Sequence, residues 1–347
     1  MNRLWKIENE EQFYNNIVYK SKEDILAFIS DPEKELYYKD IVKFKKKNGF
    51  REICIINKKS GIYDIQKNLK NNFLNNISIS DVSYGFVKNC NYYDFLEPHI
   101  NFYKNSFFLR LDVENFFGSI RYSDINDVMS YYFLDSFDIE KKREILEIIC
   151  KVLTFHDKVI QGTPTAPVIS NIIFRSLDIR IQKYCQKFGV IYSRYADDLL
   201  FSTHQKILMS SDFYKGIQNI IMSKNFMINH NKTIRYKNSI SLNGYVVDCT
   251  IRLSRKKLKR LNRVLFYLEN VKFRNEERWF ENLNDEMKKY EKNEKVIAFS
   301  GKYEMVNFLA GNRSFLISSI RYSEDKLYLD RCIRMIHRIE NQINNIL

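Results

Sequence analysis

Two adjacent aspartates, Asp197 and Asp198, stand between two short apolar runs, and no other stretch restricts this chain's fold as strongly. Ile191 to Arg194 and Leu199 to Ser202 are rich in apolar, β-branched and aromatic side chains and read as two strands. Tyr195-Ala196-Asp197-Asp198 then falls at a hairpin tip. Neighbouring carboxylates repel each other, and an unpartnered charge is very costly to bury. Two readings follow. The pair lies in a solvated turn, where aspartates are common, or it holds a divalent cation, since Mg2+ is bound by one or two carboxylates plus substrate phosphates.

A third carboxylate bears on that choice. Phe107-Phe108-Leu109-Arg110-Leu111-Asp112 reads as an apolar strand ending at Asp112. A carboxylate at the end of a buried strand, facing a hairpin with two more, is the layout of a two-metal nucleotidyl-transfer site, whose ions lie ~3.5–4 Å apart. The residues also resemble a known family, the reverse transcriptases. Tyr195-Ala196-Asp197-Asp198 resembles their catalytic box, and Leu111-Asp112-Val113-Glu114-Asn115-Phe116-Phe117 their first carboxylate box. Gln161-Gly162-Thr163-Pro164-Thr165-Ala166-Pro167 resembles the box between them. All three occur in family order, within a resemblance covering roughly residues 40–255.

The resemblance implies an α+β right-hand polymerase fold with fingers, palm and thumb. Residues 1–40 are then an N-terminal helical segment, 41–105 fingers, 106–250 palm with fingers helices inserted at about 121–160, and 251–347 a helical thumb. It implies two Mg2+ ions held by Asp112, Asp197 and Asp198 with the Val113 backbone. Arg51, Gln161, Gly162 and Lys232 are expected around the incoming deoxynucleotide triphosphate. Phe117 is expected under its sugar, rejecting a 2′-hydroxyl; without the neighbouring carboxylate it would read as an ordinary core phenylalanine. Tyr195 and the Leu242-Asn243-Gly244 turn are expected against the primer and template. His99, after Pro98, reads either as an RNA contact or as a satisfied structural histidine.

Composition agrees with a nucleic-acid partner. The 347 residues carry a formal charge of +14, which calls for a polyanion or reflects a lysine-rich proteome. At 45% hydrophobic the chain is globular. It has no apolar run of membrane-spanning length and no apolar core near Met1, so a cytoplasmic protein without a membrane partner is expected. Six scattered cysteines, Cys54, Cys90, Cys150, Cys185, Cys249 and Cys332, argue against a zinc site and, in the cytoplasm, against disulfides.

The remaining elements follow in order. Ser21 with Asp24 suggests a capped helix start. Ile41 to Lys45 and Phe50 to Ile56 read as strands turning at Lys46-Lys47-Asn48-Gly49. Helices are expected over 64–77, 124–133, 140–155 and 212–225, and another opens near Pro167. Arg255, Lys256, Lys259, Arg260 and Arg263 fall at helical offsets and predict a basic face gripping duplex phosphates. Further helices are expected near 276–292, 302–309 and 324–346, with breaks at Gly301 and Gly311-Asn312.

The expected activity is RNA-directed DNA polymerisation. The resemblance is greatest to retron enzymes, which copy a structured non-coding RNA into branched single-stranded DNA for phage defence. Their partners are that RNA as template and primer, the RNA–DNA hybrid, dNTPs and an effector protein encoded nearby. A non-retron defence enzyme and a catalytically silent RNA-binding palm are the alternatives.

Overall fold

The computed structural model describes residues 6–38, 40–46, 49–100, 105–271, 276–290, 298–320, 323 and 325–347; at 34, 40–46, 49–55 and 290 the description stops at the backbone. The chain divides into two compact units, one of Met1–Phe95 with Leu109–Arg235, the other of Leu96–Phe108 with Tyr236–Leu347.

In the first unit, α1 (Lys22–Ser30) begins where expected, with the Ser21 hydroxyl accepting from the Asp24 N–H at 3.1 Å. Strands β1 (Asp40–Lys46) and β2 (Gly49–Ile55) form the expected antiparallel hairpin, Lys46 paired with Gly49. Residues 47–48 of its turn and the Arg51 side chain lie outside the described residues. Helix α2 (Gly61–Asn72) starts three residues before its expected position and closes in a 3-10 turn at Leu74–Asn76.

Strand β3 (Phe107–Glu114) is followed by α3 (Tyr122–Met129), α4 (Ile139–Leu153) and α5 (Ala166–Gln186). Pro167 stands in the first turn of α5, where its missing N–H costs nothing. Strands β4 (Ile191–Tyr195) and β5 (Asp198–Thr203) form an antiparallel hairpin. Helix α6 (Ser211–Met222) leads to β6 (Met227–Ile228) and β7 (Ile234–Lys237). The sheet runs β4-β5-β3-β6, and every β5 residue is buried, as a central strand covered on both faces requires. Phe116, Phe174 and Phe226 pack ring against ring, with centroids 5.1–5.9 Å apart, in this core.

In the second unit, β8 (Ile240–Leu242), β9 (Tyr245–Val247) and β10 (Ile251–Leu253) form an antiparallel sheet ordered β10-β9-β8. Then come α7 (Arg255–Asn270), α8 (Glu276–Tyr290), α9 (Lys302–Ile320) and α10 (Lys326–Ile346). Leu258, Leu261, Val264 and Leu265 form the buried stripe of α7. The break expected at Gly311-Asn312 does not occur; α9 runs through it for 19 residues. An interior glycine costs a helix only about 1 kcal/mol relative to alanine, and Met305, Leu309 and Leu316 are buried on either side of it. Among the described residues no helix is long and apolar enough to cross a membrane.

Candidate active site

Strand alternation places Arg110 and Asp112 on one face of β3. Beside it, the β4–β5 hairpin turns on two residues, since Tyr195 pairs with Asp198. The Val113 N–H donates to the Asp197 carbonyl at 2.9 Å, tying the hairpin tip to the end of β3. Asp112 and Asp197 thereby line one cleft of about 350 Å³, together with Val113, Phe117, Gln161 and Lys232. Elements far apart in sequence supply these side chains: β3, the hairpin, the segment before α5, and the turn after β6.

The carboxylates are not equivalent. Asp112 is buried, and the Lys232 ammonium donates to both its oxygens at 2.8 and 2.7 Å. Asp198 is also buried, and Arg110 donates through Nε and Nη2 to its Oδ1 at 2.9 and 2.6 Å. Burial pushes the Asp198 carboxyl up, opposed by the Arg110 charge and hydrogen bond. Asp197 is half-buried at the tip. Among the described residues no three His, Cys, Asp or Glu side chains form a ready-made metal cage. Asp112 and Asp197 still fit a hard cation, because Mg2+ takes one or two carboxylates and fills its shell with phosphates and water. The Lys232 ammonium, seated on both Asp112 oxygens, stands where such positive charge is wanted.

The two phenylalanines of the first carboxylate box part company. Phe116 is buried core, whereas Phe117 is half-exposed and lines the cleft. Phe86 packs against Phe117 with centroids 5.9 Å apart. Gln161 lines the cleft, while Gly162 opens toward a separate hollow with Lys58, Lys67 and Lys70. Tyr195 is packed edge-on by Tyr92 at 5.0 Å and by the tilted ring of Phe95 at 5.9 Å.

In the second unit, Asn243 and Gly244 turn the β8–β9 hairpin, with Asn243 exposed and Gly244 half-exposed. Leu242 is buried, since strand alternation turns it inward beside exposed Ser241. His99 is fully buried, its pKa lowered to about 3 by that burial. That enclosure matches the structural of its two readings. Arg255, Lys256 and Lys259 are exposed on α7, and Arg260 and Arg263 are half-exposed. Lys256 and Arg260 line a hollow of about 480 Å³ with Gly244, Lys257 and Asn312.

Sequence reasoning missed Arg194 and Arg110. Arg194 is fully buried, and its Nε and Nη2 grip both Asp178 oxygens at 2.8–3.2 Å. Its Nη1 donates to the Ala196 carbonyl at 3.1 Å and to Asn171 at 3.0 Å, and Nη2 donates to Ser83 at 2.9 Å. The guanidinium lies over Phe174, 4.7 Å from its centroid. The one signal available was an arginine inside each apolar strand run, a charge that needs a partner.

A family model described as "Reverse transcriptase (RNA-dependent DNA polymerase)" matches residues 43–247. The retron Ec86 reverse transcriptase of Escherichia coli is 33% identical over 164 residues, 47% of each chain. The retron Ec73 reverse transcriptase of the same organism is 33% identical over 171 residues, 47% of this chain and 52% of the relative. The match thus spans about half the length of these curated relatives. Among solved structures, apo telomerase from Candida tropicalis is similar with a TM-score of 0.45 and 14% identity, over 88% of this chain and 65% of that one.

Proposed function

The chain belongs to the reverse transcriptase family, and from that premise we propose that it is an RNA-directed DNA polymerase of retron type. The observation that carries the reading is one cleft holding Asp112 and Asp197 beside Gln161, Phe117 and Lys232. Asp112, Asp197 and the Val113 backbone would hold Mg2+. When bound, such ions activate the primer hydroxyl and neutralise the leaving pyrophosphate.

This chain's own residues do the rest. Phe117 presents a half-exposed ring at the floor of the cleft, where it excludes a 2′-hydroxyl by contact and so favours dNTPs. Lys232 carries its ammonium on a flexible stem. Released from Asp112, it reaches the phosphates and offsets charge on the departing oxygen. Arg255, Lys256, Lys259, Arg260 and Arg263 hold the RNA–DNA duplex by its phosphates, a grip that carries no sequence information.

The 33% identity to two retron enzymes supports the finer reading. The template and primer are a structured non-coding RNA, the product is branched single-stranded DNA, and the setting is cytoplasmic phage defence with an effector protein. Primer extension on primed poly(rA) with Mg2+ tests the activity. Asp197→Asn is expected to abolish synthesis while RNA binding persists, because the carboxylate serves metal rather than RNA. Substantial residual extension would sink the metal assignment. Sequencing the nucleic acid that copurifies from the native host tests the retron reading, which requires a branched RNA–DNA molecule.

A further inference from the structure

Three carboxylates gather at the end of β3 and the β4–β5 hairpin, and two cations answer them, but the two cations are held differently. Lys232 leaves a short turn, His230–Lys232, on a flexible stem, and 48% of its side chain stays exposed against Asp112. Arg110 rises from the middle of β3 with only 20% exposed, against an Asp198 side chain with 12%. Its Nε and Nη2 both fix one oxygen, Asp198 Oδ1. A tethered, half-exposed lysine leaves its carboxylate when a divalent cation arrives. An arginine rooted in a buried strand has nowhere to go, and parting the pair strands two charges in low dielectric. The cleft itself is lined by Asp112 and Asp197, and Asp198 is not among its lining residues.

On the premise that this cleft is the metal-dependent polymerase site, we propose that Arg110 is a positioning residue that keeps Asp198 as its own counter-ion. Asp112 and Asp197 then supply the carboxylates for the metal. Asp198, paired through its backbone with Tyr195 and through its side chain with Arg110, anchors the base of the hairpin and thereby aims Asp197. Arg110 acts on the reaction through Asp198 and touches no substrate.

Mn2+ titration of the full chain, read by loss of the free-ion paramagnetic resonance signal, tests this without recourse to activity. Asp112→Asn and Asp197→Asn are expected to weaken Mn2+ binding by about tenfold or more, while Asp198→Asn, which only loosens the hairpin that carries Asp197, weakens it far less. Arg110→Gln releases Asp198, so Mn2+ binding tightens even as primer extension slows. Arg110→Lys, which restores a cation, brings both back toward wild type. A residue that merely stabilised the fold would not move metal affinity and turnover in opposite directions. If Asp198→Asn loses Mn2+ as fully as Asp197→Asn does, Asp198 is a ligand and the proposal is overturned. The Asp198→Asn measurement decides the matter even where Arg110→Gln fails to fold. If Asp112→Asn and Asp197→Asn both retain Mn2+, the polymerase-site premise fails, a distinct result that removes the proposal with it.

Discussion

The β4–β5 hairpin turns on Ala196-Asp197 and the β8–β9 hairpin on Asn243-Gly244, each between directly paired residues, Tyr195 with Asp198 and Leu242 with Tyr245. In the second, Asn243 has φ +46° and Gly244 φ +88°. Both residue types enter the left-handed region readily, so that turn is written in its own sequence. In the first, Ala196 has φ +56°, a conformation that costs a residue with a Cβ about 1–2 kcal/mol. The holding runs through Arg194 to residues outside the hairpin: its Nη1 donates to the Ala196 carbonyl while Nε and Nη2 are held on Asp178, and the Tyr84 N–H donates to its carbonyl at 2.8 Å. Gly85 lies so close that a Cβ there would stand 2.4 Å from the Ala196 nitrogen. The turn proposed to carry chemistry is thus over-determined by distant residues, as strained functional backbone tends to be. The other is self-sufficient.

Removing the outside support tests that contrast most severely. Arg194→Met leaves Asp178 buried without its cation, a loss expected to cost about 3–5 kcal/mol in chemical denaturation and to abolish primer extension. A cost below about 1 kcal/mol would mean the hairpin holds itself.

Acid separates the two regions next. His99 belongs to the unit that holds the second hairpin. Its folded pKa is lowered to about 3, against about 6.5 for an ordinary histidine. The unfolded chain therefore takes up the proton first as pH falls below 6.5, and stability drains away toward pH 3. At pH 5 the loss is about 2 kcal/mol. The measurement is denaturant midpoints at pH 7.5 and 5, compared between wild type and His99→Leu. In a Trp5→Phe background the fluorescence reports on Trp279 alone. Equal pH dependence in both proteins would exclude His99 as the source.

Gly244→Ala attacks the self-sufficient turn. The added Cβ meets the stem of Lys257 at 3.0 Å, which a flexible side chain absorbs, so the cost is mainly backbone strain. Thermal unfolding is expected to show a loss of about 1–2 kcal/mol. Ala196→Gly should have the smallest effect. Relief of the positive φ is offset by the greater freedom glycine has when unfolded, leaving a net change within about 0.5 kcal/mol. A gain above about 1 kcal/mol would show that the Arg194 network fails to compensate the strain.

Much of this was legible along the chain. The two strands flanking Asp197-Asp198, the strand carrying Asp112 (it runs on to Glu114) and the start of α5 near Pro167 are local patterns. Alternation, capping chemistry and helical spacing are properties of neighbouring residues, so they survive without knowledge of the fold. What the chain left open was which way a side chain faces. Leu242 turns inward, His99 is enclosed, and Phe117 stays half-exposed while Phe116 enters the core, because a pattern gives a face but not what covers it. Gly311 kept its helix because buried neighbours outweigh propensity.

By itself, then, the sequence determined which residue types could do the chemistry and on which elements they ride. Only the tertiary structure decided how their charges are partnered. Arg110 meets Asp198 across 88 positions, Lys232 meets Asp112 across 120, and Arg194 meets Asp178 across 16 from strand to helix. No periodicity links such positions. The match is made by the cost of burying a charge alone, which is felt only once the chain has closed around it.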